Sequence, residues 1–356
     1  MHQGSGRAIL STSQGNENGT RLMNNKVDAA IIGLGRWGQI LVESVKDSDL
    51  IRFTAAVTRT PANVSEFCAN RGIALFSDLE IILGDADIDA LVVATPHSQH
   101  FDQIMAAAKA GKHIYCEKPL TLSAAEGTTA LRALADENLK IAIGHNRRFS
   151  PNYLAMKRLL DEGKIGAPIH VDAHFDADLT ANAGKWRDNP TESPAGGMTS
   201  LGIHALDMCI GLFGRVRSVH ARSKRIASPI SVDDSTLVHL DFETGCTGHL
   251  TTISATDMLW RVTVFCTGGW VEIRDQDKLE ISSISDGATT KHYPGYEYPA
   301  LPTIRAALES FAKDVLGGTA FPIPPAEIEH ATDTLEAIIA SVESSRSISV
   351  ADIQNQ

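Results

Sequence analysis

A glycine-rich turn between an apolar strand and an amphipathic helix constrains this chain more than any other feature. Val27–Ile32 predicts a buried strand, Trp37–Lys46 predicts a helix, and glycines stand at their junction in a Gly-x-Gly-x-x-Gly pattern. The first glycine permits a tight turn, the second lets the backbone approach a pyrophosphate, and the third permits close helix–strand packing. The helix N-terminus adds amide donors and partial positive charge, so the junction predicts a dinucleotide site. Its predicted contact residues are Gly33, Gly35, Arg36, Trp37 and Gly38.

The alternation of apolar strand and amphipathic helix continues to about Gly144, and this pattern is typical of a parallel sheet. The further predicted strands are Phe53–Val57, Ala90–Ala94, His113–Cys116 and Lys140–Ile143, and the further helices are Asn63–Asn70, Gln99–Ala110 and Ser123–Asn138. Capping boxes, formed by Ser77 with Glu80 and by Ser123 with Glu126, predict where two helices begin.

The pattern changes after Ser150 and Pro151, which marks a domain boundary. Alternation with period two at Ile169, Val171, Ala173 and Phe175 predicts a strand with one buried face, and glycine-bearing hairpins join the strands that follow. Helices are predicted at Leu201–Phe213, Ile304–Leu316 and Glu327–Ser345. The fold class is therefore α/β, with an N-terminal Rossmann domain on a parallel sheet and a C-terminal α/β domain on an open, mainly antiparallel sheet. The predicted bounds are a flexible leader over 1–26, then domains over 27–147 and 148–356.

Composition excludes several classes of protein. The formal net charge of -11 disfavours nucleic acid and anionic membrane surfaces as partners, because both need clustered Lys and Arg. The five cysteines are scattered without metal-ligand spacing, which favours a reducing cytoplasm over a disulfide framework. No apolar run approaches roughly 18 residues, and the leader lacks the apolar stretch of a secretory signal. A short apolar run at Ala8–Leu10 could alternatively grip a partner subunit.

The residues after the second strand bear on the choice of dinucleotide. An acidic residue there would bind the ribose 2′-hydroxyl of NAD, but this chain has Thr58, Arg59 and Thr60. A guanidinium beside two hydroxyls suits a 2′-phosphate, and Arg36 could add charge near it. NADP(H) is therefore favoured and NAD(H) stays open, since Arg59 could instead stack on the adenine of either cofactor.

Three further motifs follow strand ends or lie downstream. Thr95-Pro96-His97 follows one strand, Glu117-Lys118-Pro119 follows another, and Gly196 to Asp207 reads GGMTSLGIHALD. Together with GLGRWG these motifs resemble the glucose–fructose oxidoreductase and inositol dehydrogenase family (Gfo/Idh/MocA), over essentially everything from Val27 to the end. The resemblance implies an active site between the two domains and pairing of subunits through the C-terminal sheet, as a homodimer or homotetramer.

The resemblance also implies roles for particular residues. Lys118 would hydrogen-bond the reacting oxygen of a small-molecule substrate, and His204 would be its proton-transfer partner. Proton transfer of this kind suits hydride chemistry at a carbinol or carbonyl carbon. The residues implied to lie near the cofactor are Thr95, Pro96, His97, Glu117, Lys118 and Arg187, the last within a Trp186-Arg187 pair that resembles the family's own.

One departure from the family pattern concerns substrate choice. The family often carries an aspartate four residues before the histidine, where this chain has Ser200, which can hydrogen-bond a substrate hydroxyl but cannot supply charge. Asp207, one helical turn past His204, could orient the imidazole, or it could be a surface or capping carboxylate. Arg147 could meet an anionic substrate group or form an interdomain salt bridge.

Two other groups of residues were weighed for function. His97 and His100 have HxxH spacing but lack the glutamate of a metalloprotease motif, so no metal site is predicted. His100 is expected to start a helix. Tyr293, Tyr296 and Tyr298 would form a pocket lid or a subunit contact.

The leading hypothesis is an NAD(P)-dependent oxidoreductase acting on a sugar, cyclitol or related molecule. The alternatives are a dehydrogenase of an aromatic-ring or hydroxy-acid intermediate, and a non-catalytic protein that senses NADP.

Overall fold

The computed structural model describes residues 25–296 and 300–354. The strands are β1 (Val27–Ile32), β2 (Ile51–Val57), β3 (Ala74–Phe76), β4 (Ala90–Val93), β5 (His113–Cys116), β6 (Ile141–Ile143), β7 (Pro168–Asp176), β8 (Val216–Lys224), β9 (Ser235–Phe242), β10 (Thr247–Ile253), β11 (Leu259–Cys266), β12 (Gly269–Arg274), β13 (Lys278–Ser283), β14 (Gly287–His292) and β15 (Ile348–Ser349). The helices are α1 (Arg36–Ser44), α2 (Ser65–Ala69), α3 (Leu79–Leu83), α4 (His100–Lys109), α5 (Ala124–Asp136), α6 (Pro151–Asp161), α7 (Ile203–Phe213), α8 (Leu301–Val315), α9 (Pro325–Ser344) and α10 (Val350–Gln354). Nearly all of the predicted leader, including Ala8–Leu10, lies outside the described residues.

The first sheet has six parallel strands in the order β3-β2-β1-β4-β5-β6. Because β1 is buried along its whole length, its apolar run VDAAII has no polar alternation. The strand order reverses between β1 and β4, and ligands of open α/β sheets bind at such a switch point, beyond the carboxyl ends of the strands. The predicted Rossmann architecture is confirmed. The three-residue strand β3 was missed.

Two helix starts differ from the predicted capping boxes. Asp78, one residue after Ser77, caps α3 by accepting a 3.0 Å hydrogen bond from the Glu80 amide. At α5, the first amide, that of Ala124, donates to the carboxylate of Glu336 on α9. A carboxylate brought in by tertiary folding therefore satisfies the first amide of α5, and the side chain of the N-cap residue Ser123 makes no capping hydrogen bond.

The second sheet has nine strands in the order β14-β13-β12-β11-β7-β10-β9-β8-β15, and only the β7–β10 pair is parallel among its described strands. One face packs on α7 and α9, and the other face is open. The prediction for β7 was wrong at Ile169, which is 54% exposed. The register between β7 and β11 shifts beside Ile169, and such a bulge turns a side chain out of the strand's alternation.

Two apolar cores correspond to the two sheets, one under β1–β6 and one between the nine-stranded sheet and its helices. Within residues 25–296 and 300–354, no helix combines the length and the hydropathy needed to cross a bilayer.

Candidate active site

A cavity of about 220 Å³ lies between the carboxyl ends of the parallel strands and the segment that leads into α7. Residues of both domains line this cavity, so neither domain forms it alone. The lining residues are Arg36, Trp37, Ala94, Thr95, His97, Glu117, Lys118, Asn146, Arg147, Phe175, Leu179, Asn182, Arg187, Ser200, Leu201 and His204.

The glycine turn adjoins this cavity, and each glycine has its own steric reason. Gly33 has a φ of +91°, and a Cβ there would lie 2.6 Å from the Ala94 carbonyl oxygen. A Cβ on Gly38 would overlap the Gly33 carbonyl oxygen. Around Gly35, in contrast, a Cβ would meet nothing within 4 Å. The turn therefore packs tightly on the sheet at two glycines and leaves open space at the third, where α1 begins. This open backbone fits a pyrophosphate.

Thr58 and Arg59, which bear on the 2′ position of a dinucleotide, follow β2 at the carboxyl edge of the parallel sheet. The Gly33 amide donates a 2.9 Å hydrogen bond to the Val57 carbonyl, which brings the end of β2 beside the glycine turn. Thr58 is anchored through its amide to the Phe76 carbonyl, while Arg59 is exposed. The guanidinium of Arg59 is thus free to reach a ligand that lies along the edge of the sheet.

Glu117 and Lys118 follow β5 directly, and the Lys118–Pro119 peptide bond is cis. The Glu117 carboxylate packs against the α-carbon of Gly144, where any Cβ would lie within 2.6 Å of a carboxylate oxygen. Burial raises the pKa of Glu117, while the neighbouring Lys118 charge acts in the opposite direction. Gly144 therefore provides the space in which this carboxylate sits beside the lysine.

The Lys118 ammonium donates a 2.6 Å hydrogen bond to the backbone carbonyl of Ser200. Burial lowers the pKa of Lys118 to about 8, and the charges of Arg187 and Arg147 act in the same direction, against the opposing effect of Glu117. Both protonation states of the amine are therefore accessible near neutral pH.

His204 projects from the first turn of α7 and is 7% exposed. Burial first, and then the charges of Lys118 and Arg147, hold the pKa of His204 well below 6.5, so the imidazole is neutral. Within the described part of the chain, its Nδ1 has no hydrogen-bond partner. The helix is preceded by a π turn over Met198–Gly202, in which Gly202 packs on the Met198 sulfur. This local bulge in the helix sets where His204 enters the cavity.

Asp207 does not orient His204, and it is not a surface carboxylate either. It is 2% exposed and accepts hydrogen bonds from Arg148, at 2.8 Å from Nε and 3.1 Å from Nη2. Arg148 also donates to Glu327 at 2.7 Å. Arg148 therefore forms a buried ion pair with Asp207 on α7. Arg147 lines the cavity, with its guanidinium carbon 5.5 Å from the ring centre of Phe175 and 5.4 Å from that of Trp260.

Two family models match this chain. "Oxidoreductase family, NAD-binding Rossmann fold" matches residues 27–145, and "GFO/IDH/MocA C-terminal domain" matches residues 153–272. The chain belongs to the Gfo/Idh/MocA oxidoreductase family. Among its relatives is an uncharacterized oxidoreductase of Schizosaccharomyces pombe, 32% identical over 51% of this chain and 48% of that protein. The chain thus matches about half the length of this relative, and 44% of a second one from the same yeast.

A relative with a named activity is the scyllo-inositol 2-dehydrogenase (NAD(+)) of Bacillus subtilis, 31% identical over 64% of this chain and 67% of that protein. Among solved structures, a levoglucosan dehydrogenase in complex with NADH superposes with a TM-score of 0.83 at 22% identity, covering 91% of this chain and 99% of that one. At that identity the likeness concerns the fold.

Most of the candidate site residues lie around the one cavity, and some lie elsewhere in the structure. Those that line it are Arg36, Trp37, Thr95, His97, Glu117, Lys118, Arg147, Arg187, Ser200 and His204. Those outside the described lining are Gly33, Gly35, Gly38, Thr58, Arg59 and Pro96, together with Tyr293 and Tyr296. Tyr298 lies outside the described residues.

The two histidines of the HxxH pair have structural partners. The Nδ1 of His97 lies 2.7 Å from the Glu192 carbonyl, and its ring meets the edge of Trp186 with centres 4.9 Å apart. His100 starts α4 as predicted and bonds the carbonyls of Pro119 and Thr95. Across the described residues, no three His, Cys, Asp or Glu side chains are grouped to hold a metal ion.

A contact that the sequence did not predict attaches the loop of Trp186 and Arg187 to the Rossmann half. The Glu192 carboxylate accepts hydrogen bonds from the Ser98 amide, at 3.1 Å, and from the Ser98 hydroxyl. Asn146, Phe175, Leu179, Asn182 and Leu201 were also missed as cavity lining. Of these, only Asn146 carried a signal, because it adjoins Arg147 in the segment between the domains.

Proposed function

We propose that this chain transfers hydride between the nicotinamide of NAD(P) and the carbinol or carbonyl carbon of a small polar substrate, such as a sugar or cyclitol. The observation that carries the proposal is that Lys118 and His204, distant in sequence, line the same cavity beside the glycine turn. An amine of lowered pKa and a neutral buried imidazole are suited to moving one proton on and off a substrate oxygen.

A bound nicotinamide supplies the hydride acceptor or donor, and the residues of this chain handle the proton. In oxidation, the neutral amine of Lys118 accepts the hydroxyl proton, and in reduction the ammonium returns it. One N–H of Lys118 is held by the Ser200 carbonyl, which orients the remaining valences of Nζ toward the cavity. His204 hydrogen-bonds the same oxygen through its neutral ring, while the proton itself passes to or from Lys118.

We further propose that the dinucleotide lies along the carboxyl edge of β1 and β2, with NADP(H) favoured. Support comes from the open backbone at Gly35 and from the exposed Arg59 between two threonines. Of the proteins named above, the Bacillus subtilis dehydrogenase carries NAD(+) in its name and the levoglucosan dehydrogenase is in complex with NADH. The preference for NADP(H) therefore rests on this chain's own residues.

A second copy of this chain is the proposed partner for the open face of the nine-stranded sheet. Leu237 and Phe265 are 54% and 41% exposed on this face. A cavity of about 300 Å³ also opens there, lined by His220, His239 and His249 among others. Sedimentation should show a dimer or tetramer that Leu237→Glu dissociates, and a monomeric native protein would contradict this proposal.

Cofactor titration and turnover assays test the proposed chemistry. NADPH and NADH fluorescence titrations should give saturable binding, and a panel of polyols and sugars should include at least one substrate. We expect Lys118→Met to abolish turnover with cofactor affinity changed by less than about fivefold, since the side chain acts on the substrate proton. Lys157→Met, at an exposed ion pair on α6, is the matched control.

The choice of cofactor has its own test in the same assay. Arg59→Ala should weaken NADPH more than NADH, whereas Arg71→Ala, a surface arginine paired with Glu43, should affect neither. Equal losses for the two cofactors contradict the 2′-phosphate role. Retained kcat in Lys118→Met contradicts the hydride-transfer mechanism, and tight cofactor binding without turnover favours a sensor.

A further inference from the structure

Asn146 is a buried amide in the wall of the cavity, and a helix from the last part of the chain fixes its position. The residue comes shortly after β6, lines the cavity and is 4% exposed. Its Nδ2 donates a 2.7 Å hydrogen bond to the hydroxyl of Thr303, which lies in the first turn of α8 and is itself buried. The segment between the two domains is therefore held from behind at this side chain.

The Thr303 hydroxyl determines which end of the Asn146 amide faces the cavity. The hydroxyl donates its one hydrogen to the Ala300 carbonyl at 2.8 Å, so it can only accept from the amide. If the amide were turned over, the hydroxyl would have to donate to Oδ1, and one of these two buried hydrogen bonds would be lost. Nδ2 therefore points to α8, and Oδ1 is left for the cavity that the residue lines.

The Oδ1 atom of Asn146 is able to accept a hydrogen bond from a ligand. Among the described residues no group donates to it, and it is not one of the fully enclosed polar atoms without a partner, so it keeps accessible surface. A carbonyl oxygen offers lone pairs and no hydrogen. An acceptor held in one direction in a buried wall selects a ligand group that carries a hydrogen and rejects one that does not.

The order of the strands places Asn146 on the far side of Lys118 from the glycine turn. The carboxyl ends of β1, β4, β5 and β6 are neighbours in that order, and they are followed by the glycine turn, Thr95, Lys118 and Asn146. Adjacent strands lie about 4.8 Å apart, so Asn146 is one strand beyond the lysine and three beyond the glycine turn. A dinucleotide that lies along β1 and β2 approaches from the other side. The group that meets Asn146 therefore belongs to the molecule that reacts at Lys118.

We propose that Asn146 determines specificity by accepting, at Oδ1, a hydrogen bond from a second hydroxyl of the substrate, on the carbon next to the one that reacts. This inference rests on the proposed hydride-transfer function and narrows its substrates to vicinal diols. Thr303 is the positioning residue that keeps the acceptor turned toward the ligand. A molecule with no hydroxyl on that carbon leaves Oδ1 without a partner and binds more weakly.

Sugars that differ at one position test the inference. D-glucose carries a hydroxyl at C2, 2-deoxy-D-glucose carries none, and 2-deoxy-2-fluoro-D-glucose has a polar atom of similar size without a hydrogen. The matching D-galactose series, and myo-inositol with cis-cyclohexane-1,3,5-triol, extend the comparison. Dissociation constants are measured with saturating reduced cofactor, and kcat/KM with oxidised cofactor. We expect at least one vicinal diol to bind about tenfold or more tightly than each of its analogues, because the analogues leave a buried acceptor unpaired.

Matched variants assign the preference to the amide. Asn146→Leu removes the acceptor and should bring the ratio of the two dissociation constants, for diol and analogue, to near one. Thr303→Val lets the amide turn and should also lower the ratio, whereas Thr303→Ser keeps the hydroxyl and should preserve it. Thr128→Val, which removes a hydroxyl that donates to Glu329 on α9, should leave the ratio unchanged. Because the ratio compares two ligands of one folded sample, a general loss of structure does not change it.

The cofactor provides a second readout. Asn146→Leu should leave the dissociation constants of NADH and NADPH within about threefold of the native values, since the amide meets the substrate. A tenfold or greater loss of cofactor affinity with an unchanged diol ratio would assign Asn146 to the nicotinamide carboxamide, and this result overturns the inference.

The remaining outcomes separate this inference from the function on which it rests. Lys118-dependent turnover with no preference for vicinal diols overturns the inference and leaves the function standing. A preference that Asn146→Leu removes, without any hydride transfer, supports the acceptor site and overturns the function. A ratio unchanged in Asn146→Leu or in Thr303→Val, or no diol of the set bound at about 50 mM, overturns the inference.

Discussion

The ammonium of Lys118 and the backbone carbonyl of Ser200 are joined by a 2.6 Å hydrogen bond that crosses from the Rossmann half to the segment before α7. Burial outweighs the opposing charge of Glu117, so the pKa of Lys118 falls to about 8. The chain at position 200 therefore contributes its backbone carbonyl to the site.

The pH dependence of turnover follows from that pKa. Oxidation requires the neutral amine, so its kcat should rise as pH increases through about 8, and reduction should lose rate over the same interval. Ser200→Asp should move both profiles to higher pH because a carboxylate stabilises the ammonium. Ser200→Ala keeps the carbonyl and should leave the apparent pKa in place, whatever its effect on rate. Superimposable profiles for the Asp and Ala variants would count against the assignment.

Two glycine substitutions should separate packing from cofactor binding. At Gly38 a Cβ would overlap the Gly33 carbonyl, so Gly38→Ala should lower the free energy of unfolding by about 1–3 kcal/mol, the usual cost of overpacking. At Gly35 a Cβ meets open space, so Gly35→Ala should melt like the native protein but bind dinucleotide at least about tenfold more weakly. Thermal melts and fluorescence titrations measure the two effects. Unchanged affinity in Gly35→Ala would contradict the placement of the pyrophosphate.

The buried ion pair of Asp207 with Arg148 should matter for stability and not for proton transfer. Asp207→Asn leaves a buried guanidinium with a weakened partner, and breaking such a pair costs about 3–5 kcal/mol. Denaturant unfolding measures this loss. The folded fraction of Asp207→Asn should keep the native pH profile, whereas His204→Asn should fold normally and lose turnover. An altered pH profile in Asp207→Asn would revive a direct role at His204.

The contact between Ser98 and Glu192 should set how well the loop of Arg187 is positioned. Ser98→Ala removes the hydroxyl donor and retains the amide donor at 3.1 Å, so the loop stays attached but less firmly. We expect an increase of a few-fold in KM for the cofactor, with kcat nearly unchanged, and about 1 kcal/mol lost in unfolding. Ser344→Ala, at the exposed end of α9, is the control for a lost serine hydroxyl that donates a hydrogen bond. A fall in kcat at constant KM would point to a role in the chemical step.

Local pattern was sufficient to predict the Rossmann half, and the reason lies in how its strands are buried. A fully buried strand such as β1 has a continuous apolar run, and the glycine turn after it tolerates few other sequences. The nine-stranded sheet was predicted less completely, since the segments of β8 and β14 are rich in polar residues and resemble loops. Ile169 belongs to the apolar alternation of β7 and is still exposed, because a bulge lies beside it. A bulge depends on the partner strand, and alternation along one strand does not reveal it.

The sequence by itself determined the glycine turn, the order of strands and helices through β6 except for the short β3, and the identity of the side chains able to move a proton. Only the tertiary structure decided which partners those side chains have. Asp207 pairs with Arg148 and not with His204, Glu336 accepts a hydrogen bond from the first amide of α5, and Lys118 is held by a backbone oxygen of Ser200. Spacing along one helix or strand limits which local neighbours a residue can have. A contact between distant segments depends instead on how the whole fold packs, and such a contact produces no periodic pattern in the sequence.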